Sequence, residues 1–433
     1  MRQTLFYIPS EIAGVKLFGV GWLLGLWAIV SAVILVRQIR RSGFGSETTS
    51  YLPLIALVGA AIVWFMPMAE TPAGFPIRGY GTMLFLAVVL SVALAAYRAG
   101  RMGIDPDIIY SLSFWLVVSG IIGARAFFVI QYWNEFRSDS LAETMTHVVN
   151  FSRGGLVVYG GVLAGAVVTV VYLKRHRLPA LALCDLMAPS VALGLGLGRL
   201  GCFLNGCCYG GPADVAWAVQ FPEGSPPYVN QIETGALPID GIMLAKSGAP
   251  VIEQVVPDSP AAVAGVTIGQ IIERVGNYPV KTADDARLAL SGAWIDSLAG
   301  GKPLSLTLAG RSSALSWQPR VGTRHSLPVH PTQLYSATTG VLLCLFLLAI
   351  YPYRRRDGEV LAWLMILQPI GRFLLETIRV DELGQFGTSL SISQWVSLGL
   401  LAGGAALWLY LNQRPAGSVL PMTGTPDPRR LAA

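Results

Sequence analysis

Residues 182–210 read ALCDLMAPSVALGLGLGRLGCFLNGCCYG. The run from 182 to 200 is mostly apolar and close to the ~20 residues an α-helix needs to cross a bilayer. It closes in a Gly-rich polar motif holding Arg199, Asn205 and three cysteines. An apolar span with its polar groups gathered at one end sets the pattern for the whole chain. Of the 433 residues, 53% are hydrophobic and 13% charged, with mean hydropathy +0.56. A water-soluble domain carries about 25% charged residues, so a chain this long and apolar takes the bilayer as its solvent.

Nine such runs are found, near 17–36, 51–68, 81–98, 112–131, 156–174, 182–200, 333–351, 359–378 and 392–411. Every second connection is basic. Arg37, Arg40 and Arg41 follow the first run, Arg98 and Arg101 the third, and Lys174, Arg175 and Arg177 the fifth. Arg354, Arg355 and Arg356 follow the seventh, and Arg414, Arg429 and Arg430 the ninth. Positive charge marks the cytoplasmic side, which places the N-terminus outside and the C-terminus inside. The net charge of +6 therefore reports topology and not nucleic-acid binding. Residues 1–16 lack the features of a cleavable signal peptide, so the first run is expected to persist as a helix.

Residues 237–320 hold no spanning run. Val251–Val256 and Leu304–Leu308 have strand composition, and Thr282 to Leu290 has the pattern of a short helix with Thr282 as N-cap. The fold expected is an all-α polytopic membrane protein with a small α+β extracytoplasmic insert. Its parts are a helix pair in 1–76, a membrane core in 77–236 and 321–412, the insert in 237–320 and a cytoplasmic tail in 413–433. The insert resembles a PDZ domain of the bacterial type, on Ser259–Gly265 followed by Ile268-Gly269-Gln270-Ile271-Ile272, where that family usually has Asp in place of Gln270. The resemblance implies a peptide C-terminus bound along Gly241-Ile242-Met243-Leu244; a purely structural insert is the alternative.

Five polar motifs fall on the outer face. Tyr80-Gly81 opens the third run, and Gly154–Gly161, containing Tyr159 and Gly160, opens the fifth. Gly198–Gly210 closes the sixth, His330-Pro331-Thr332-Gln333-Leu334-Tyr335 opens the seventh, and Gly371–Arg379 closes the eighth. Ionisable groups at membrane depth are expensive and mark function. Arg199 and Arg372 each offer planar donors suited to a phosphate. Glu376 stands four residues after Arg372, on the same helix face. One arginine alone would simply snorkel; two, with Asn205 and Glu376, point to a lipid phosphodiester. His330 can take a proton near neutral pH. Gly194, Gly196, Gly198 and Gly201 permit close helix approach. Cys184 and Cys344 lie in apolar runs as small hydrophobes. For Cys202, Cys207 and Cys208 a disulfide, packed thiols and a catalytic thiol stay open; zinc is disfavoured because no His or acid sits at standard ligand spacing.

Four motifs in order resemble the bacterial prolipoprotein diacylglyceryl transferases: Gly-Arg-x-Gly-x-Phe-x-Asn-Gly at 198–206, His330–Tyr335, Gly123-Ala124-Arg125, and Gly371-Arg372-Phe373 with Glu376. The resemblance runs from about Tyr80 to the last helix, broken by the insert. It implies a seven-helix core preceded by an extra helix pair, in the bacterial inner membrane. It implies transfer of diacylglycerol from phosphatidylglycerol to the lipobox cysteine of an exported prolipoprotein, with release of glycerol phosphate and no metal or cofactor. Catalysis is then assigned to His330, Arg199, Arg372 and Tyr159. The phospholipid is held by Arg199, Asn205, Arg372, Glu376, Tyr80, Gly160 and Gly210. Members often carry His where this chain has Tyr159, and Asn and Glu where it has Cys202 and Cys207, which makes His330 the candidate base. A different acceptor, or a non-catalytic scaffold with a peptide-binding module, are the alternatives.

Overall fold

The computed structural model describes residues 3–43, 52–138, 140–149, 155, 157–311, 313–320, 324–380, 384–385 and 387–420. Gly154, Arg429 and Arg430 of the motifs above lie outside these residues. The chain divides into two units, residues 1–83 with 204–206, and residues 84–203 with 207–433.

In the first unit, β1 (Thr4–Ile8) pairs antiparallel with β2 (Phe75–Arg78). Between them run α1 (Trp22–Ser42) and α2 (Leu52–Ala60). The helix α2 widens into a π turn at Ala61–Phe65 before a last helical turn at Met66–Met68. A π turn shifts the hydrogen-bond ladder by one residue, and the Ile62 carbonyl accepts from Gly19 N at 3.1 Å.

Helix α3 (Gly79–Arg101) leads into the second unit, followed by α4 (Pro106–Gln131), α5 (Val158–Arg175) and α6 (Ala180–Asn205). Asp105 caps α4 by accepting from Asp107 N, and Pro106 sits at the first helical position, where a missing N–H is harmless. After α7 (Pro226–Glu233) and the insert come α9 (Thr332–Ile350), α10 (Glu359–Glu376) and α11 (Ile392–Asn412), α8 being the insert's long helix, Ala283–Gly300.

Seven helices among the described residues are long and apolar enough to cross a membrane, against the nine runs expected. The other two fall short for separate reasons. The 52–68 segment is divided by its π turn. Helix α10 carries Glu359, Arg372 and Glu376 within its 18 residues. Apolar side chains such as Ile130 and Val162, 73% and 63% exposed, face outward as lipid-facing residues do. Close helix contact rests on glycine. A Cβ on Gly160 would lie 2.3 Å from the Gly123 carbonyl where α5 crosses α4, and one on Gly340 would lie 2.6 Å from Gly196 Cα where α9 crosses α6.

At the basic ends of these helices, Arg98 and Arg354 stack on the Tyr351 ring at 4.3 and 3.8 Å, and Arg98 donates to the Leu186 carbonyl. Charges that read as topology markers thus also tie helices together. Fully buried Asp185 accepts from Gly358 N and Leu361 N, both at 2.7 Å, and so caps α10 from a neighbouring helix.

The insert has its own hydrophobic core, centred on Ile252, Ile272, Leu290, Trp294 and Leu306. Its strands are β3 (Ile242–Leu244), β4 (Ile252–Val255), β5 (Ile272–Val275), β6 (Tyr278–Pro279), β7 (Leu304–Leu308) and β8 (Leu315–Trp317), forming a β3–β4 pair and a sheet in the order β8-β7-β5-β6. The expected strands and Thr282 cap are present, the cap as a full capping box with Asp285. The helix it starts runs well past Leu290, to Gly300. Tyr228 and Ile232 of α7 complete the core, so the module begins ahead of residue 237. Its two connections pair with each other. Phe221 N donates to Ser326 Oγ at 2.9 Å, Ser326 N to the Phe221 carbonyl at 2.8 Å, and Val219 and Val329 exchange N–H···O bonds at 3.1 Å. This two-stranded stem ends beside His330.

Replacing Asp185 by Ala leaves two buried N–H groups without acceptors, a loss of roughly 2 kcal/mol. Hydrogen exchange at Gly358 and Leu361 should accelerate about thirtyfold. Unchanged protection at both amides would show that the carboxylate does not hold this helix end.

Candidate active site

The end of helix α10 and the turn after it carry three charged side chains at i, i+4 and i+7. Glu376 Oε2 lies 2.8 Å from Arg372 Nη2 and 3.1 Å from Arg379 Nη1, while Oε1 accepts from Ser391 Oγ at 3.2 Å. Glu376 is 6% exposed, and a carboxylate so buried stays charged only with such partners. Ser391 is also the N-cap of α11, in a capping box with Gln394. Two residues on, Ser393 Oγ accepts from Arg372 Nη2 at 2.9 Å and lies 3.3 Å from Tyr159 Oη. The structure therefore brings Tyr159, Arg372 and Glu376 together through two serines that sequence reasoning missed. Their signal was readable: Ser391 followed three residues later by Gln394, ahead of an apolar run, is a helix-start signature.

Arg199 and Arg372 line one small cleft, with Leu195, Ser336, Thr339 and Gln368 from α6, α9 and α10. This is the meeting of two guanidinium groups that their separate motifs lead one to expect. Among the described residues no acceptor engages Arg199, whereas Arg372 is held by Glu376 and Ser393. One carboxylate against Arg372, Arg379 and Arg199 leaves the region positive and suited to an anion.

The 330–333 motif is bonded to the 207–211 loop. Gly210 N donates to the His330 carbonyl at 2.9 Å, and His330 N donates to the Gly211 carbonyl at 3.0 Å. Thr332 Oγ1 and Gln333 Nε2 donate to the carbonyls of Cys208 and Cys207 at 2.7 and 2.8 Å. A Cβ at Gly210 would sit 2.7 Å from His330 Cβ, so no larger residue fits there. Trp217 Nε1 donates to Tyr335 Oη at 2.7 Å, and Tyr335 Oη lies 3.3 Å from His330 Nδ1. An indole N–H only donates, which leaves the Tyr335 hydroxyl proton available to donate to His330 Nδ1 in the tautomer protonated on Nε2. The Cys208 thiol is held well below the ordinary thiol range, first by donation from the Cys202 and Cys207 thiols, then by the charges of Arg379 and Arg199.

The remaining candidates meet other partners. Gly160 is occupied by its contact with Gly123. Tyr80, in the first turn of α3, and Asn205, whose carbonyl accepts from Gln3 Nε2 at 3.3 Å, belong to the first unit. In the insert, Ile242 and Leu244 point into the core, Met243 is half-buried, and the Gly241 carbonyl accepts from Val256 N at 2.8 Å.

Residues 67–247 and 259–410 match the family model described as prolipoprotein diacylglyceryl transferase. A phosphatidylglycerol–prolipoprotein diacylglyceryl transferase of Rhodopirellula baltica is 34% identical, over 98% of this chain and 92% of its own length. The protein of that name from Trichormus variabilis is 34% identical over 36% of this chain and 54% of its length. A second such enzyme of Clostridium perfringens is 24% identical over 77% of this chain and 91% of its length.

Changing Glu376 to Gln leaves two largely buried guanidinium groups without their shared counter-charge, a destabilisation of roughly 3 kcal/mol. Thermal unfolding in detergent should show a clearly lower midpoint, and Arg379→Ala should lower it less. A midpoint equal to that of the unaltered protein would remove Glu376 as the organiser of this site.

Proposed function

We infer the chemistry from one premise: this chain belongs to the prolipoprotein diacylglyceryl transferase family. It is a multi-pass inner-membrane transferase. It moves the diacylglyceryl group of phosphatidylglycerol to the lipobox cysteine of an exported prolipoprotein, the first step of lipoprotein maturation.

In that reaction a C–S bond forms at the glyceryl carbon, a C–O bond to phosphate breaks, and the thiol proton leaves to a base. The phosphodiester monoanion becomes a phosphate monoester that gains negative charge as it departs. Groups that bind this growing charge lower the barrier. The observation that carries the assignment of roles is the shared cleft of Arg199 and Arg372. Arg372 is fixed in advance by Glu376 and Ser393, so little ordering is left to do on binding. Arg199 supplies the second, uncommitted guanidinium. Tyr159 steadies Arg372 through Ser393 and is not the base. The thiolate is the nucleophile, and the proton passes to His330 Nδ1 through Tyr335 Oη, whose position Trp217 fixes. Tyr80, Asn205 and Gly210 keep the phospholipid-binding role that their motifs imply.

The alternating basic clusters support nine spans, with α2 and α10 crossing beside the seven longer helices and the insert outside the cytoplasm. The insert is read as a PDZ-like module that holds an exported peptide by its C-terminal carboxylate along Gly241–Leu244.

Arg199→Ala should lower the rate at which a lipobox peptide gains the diacylglyceryl mass from phosphatidylglycerol by roughly 100- to 1000-fold, with the protein still folded in the membrane. A rate within about twofold of the unaltered enzyme would remove Arg199 from the chemistry. For the module, a membrane-impermeant labelled peptide with a free apolar C-terminus should bind intact spheroplasts carrying the chain, and its C-terminal amide should not. Binding only after lysis would reverse the orientation; equal binding of acid and amide would end the carboxylate reading.

A further inference from the structure

We propose that Cys202, Cys207 and Cys208 form a three-thiolate site for one thiophilic divalent cation of the zinc class. The spacing disfavoured such a site because no His or acid completes it, but three sulfurs suffice once the fold gathers them. Their Sγ atoms all lie within 4.8 Å of one another. Zinc bound to thiolates at about 2.3 Å holds its sulfurs about 3.8 Å apart, so movements of about an ångström at the side chains close the triangle around an ion.

The backbone brings about this convergence. Cys207 N donates to the Cys202 carbonyl at 3.2 Å, folding the chain back onto the end of α6. Neighbouring residues in an extended chain point apart, but Cys208 takes φ 60°, a left-handed conformation uncommon outside glycine. The turn is then fixed from α9 by the bonds of Thr332 and Gln333 to the two cysteine carbonyls. Gln333 is fully buried, and its Oε1 has no partner among the described residues. A water completing the fourth metal position is the kind of donor it lacks. All three cysteines are half-buried, which leaves an ion a path in.

Charge and proton balance are met. Three thiolates around a divalent ion, with the remaining thiol protons released on binding, make a complex of net charge −1. Arg199 and Arg379 place positive charge on Cys208 and offset that complex.

The test is metal content, which is independent of the transferase reading. The full chain, purified in detergent under reducing conditions, loaded with zinc and dialysed, should hold one zinc per chain. Cys202→Ser, Cys207→Ser and Cys208→Ser should each lower this to about a tenth or less, while Cys184→Ser keeps it. Cadmium should give a sulfur-to-metal charge-transfer band of three-thiolate intensity in the unaltered chain, which decides the matter even where a serine variant fails to fold. Zinc absent after reduction and loading, zinc retained when all three cysteines are replaced, or a disulfide whose reduction yields no metal binding would each overturn the proposal.

Discussion

A carboxylate almost sealed from solvent needs compensation on every side, and Glu376 obtains it from three directions. Arg372 comes from its own helix, Arg379 from the turn just after it, and Ser391 from the N-cap of the next. This fixes the junction between α10 and α11, because the hydroxyl that serves Glu376 also caps α11. Ser393, carried on the first turn of α11, is thereby placed against Arg372 and Tyr159. Removing a partner from such a network exposes the desolvation of those that remain. The geometry of the cleft follows from satisfying one buried negative charge.

The two cleft arginines are not equivalent. Arg372 is bound by protein groups and has lost its conformational freedom before any ligand arrives. Arg199 has no acceptor among the described residues, and its position comes from the rigid end of α6 alone. A fixed donor and an adjustable one suit a phosphate that must first be held as a diester and then released as a monoester. Net positive charge survives because one carboxylate faces three guanidinium groups.

Much of this was legible in sequence because it depends on local chemistry. Apolar run length gave the helices, the i, i+4 spacing gave the Arg372–Glu376 pair, and Thr282 announced its helix. The pairing of Arg199 with Arg372 was readable only as a tendency of both motifs to lie on one face. What stayed hidden was tertiary. The strands β1 and β2 pair residues some seventy positions apart. Ser393 is unremarkable until α11 is packed against α10. Gly160, within a polar motif, turned out to meet Gly123, since contact between helices in lipid depends on a partner that one helix's sequence does not reveal. The π turn at Ala61–Phe65 has no apolar-period signature, and the run through it looked like an ordinary span.

The stem of the insert has mechanical implications. Phe221 with Ser326 and Val219 with Val329 make two-stranded pairings that lead directly into His330. A module on a loose tether would leave the membrane part indifferent to whatever it grips. A hydrogen-bonded ribbon resists bending and slippage, so tension applied to the module arrives at the imidazole and its tyrosine with little slack. The insert and the His330–Tyr335 pair are thereby mechanically joined through paired backbone, Val219 and Phe221 on one side and Ser326 and Val329 on the other.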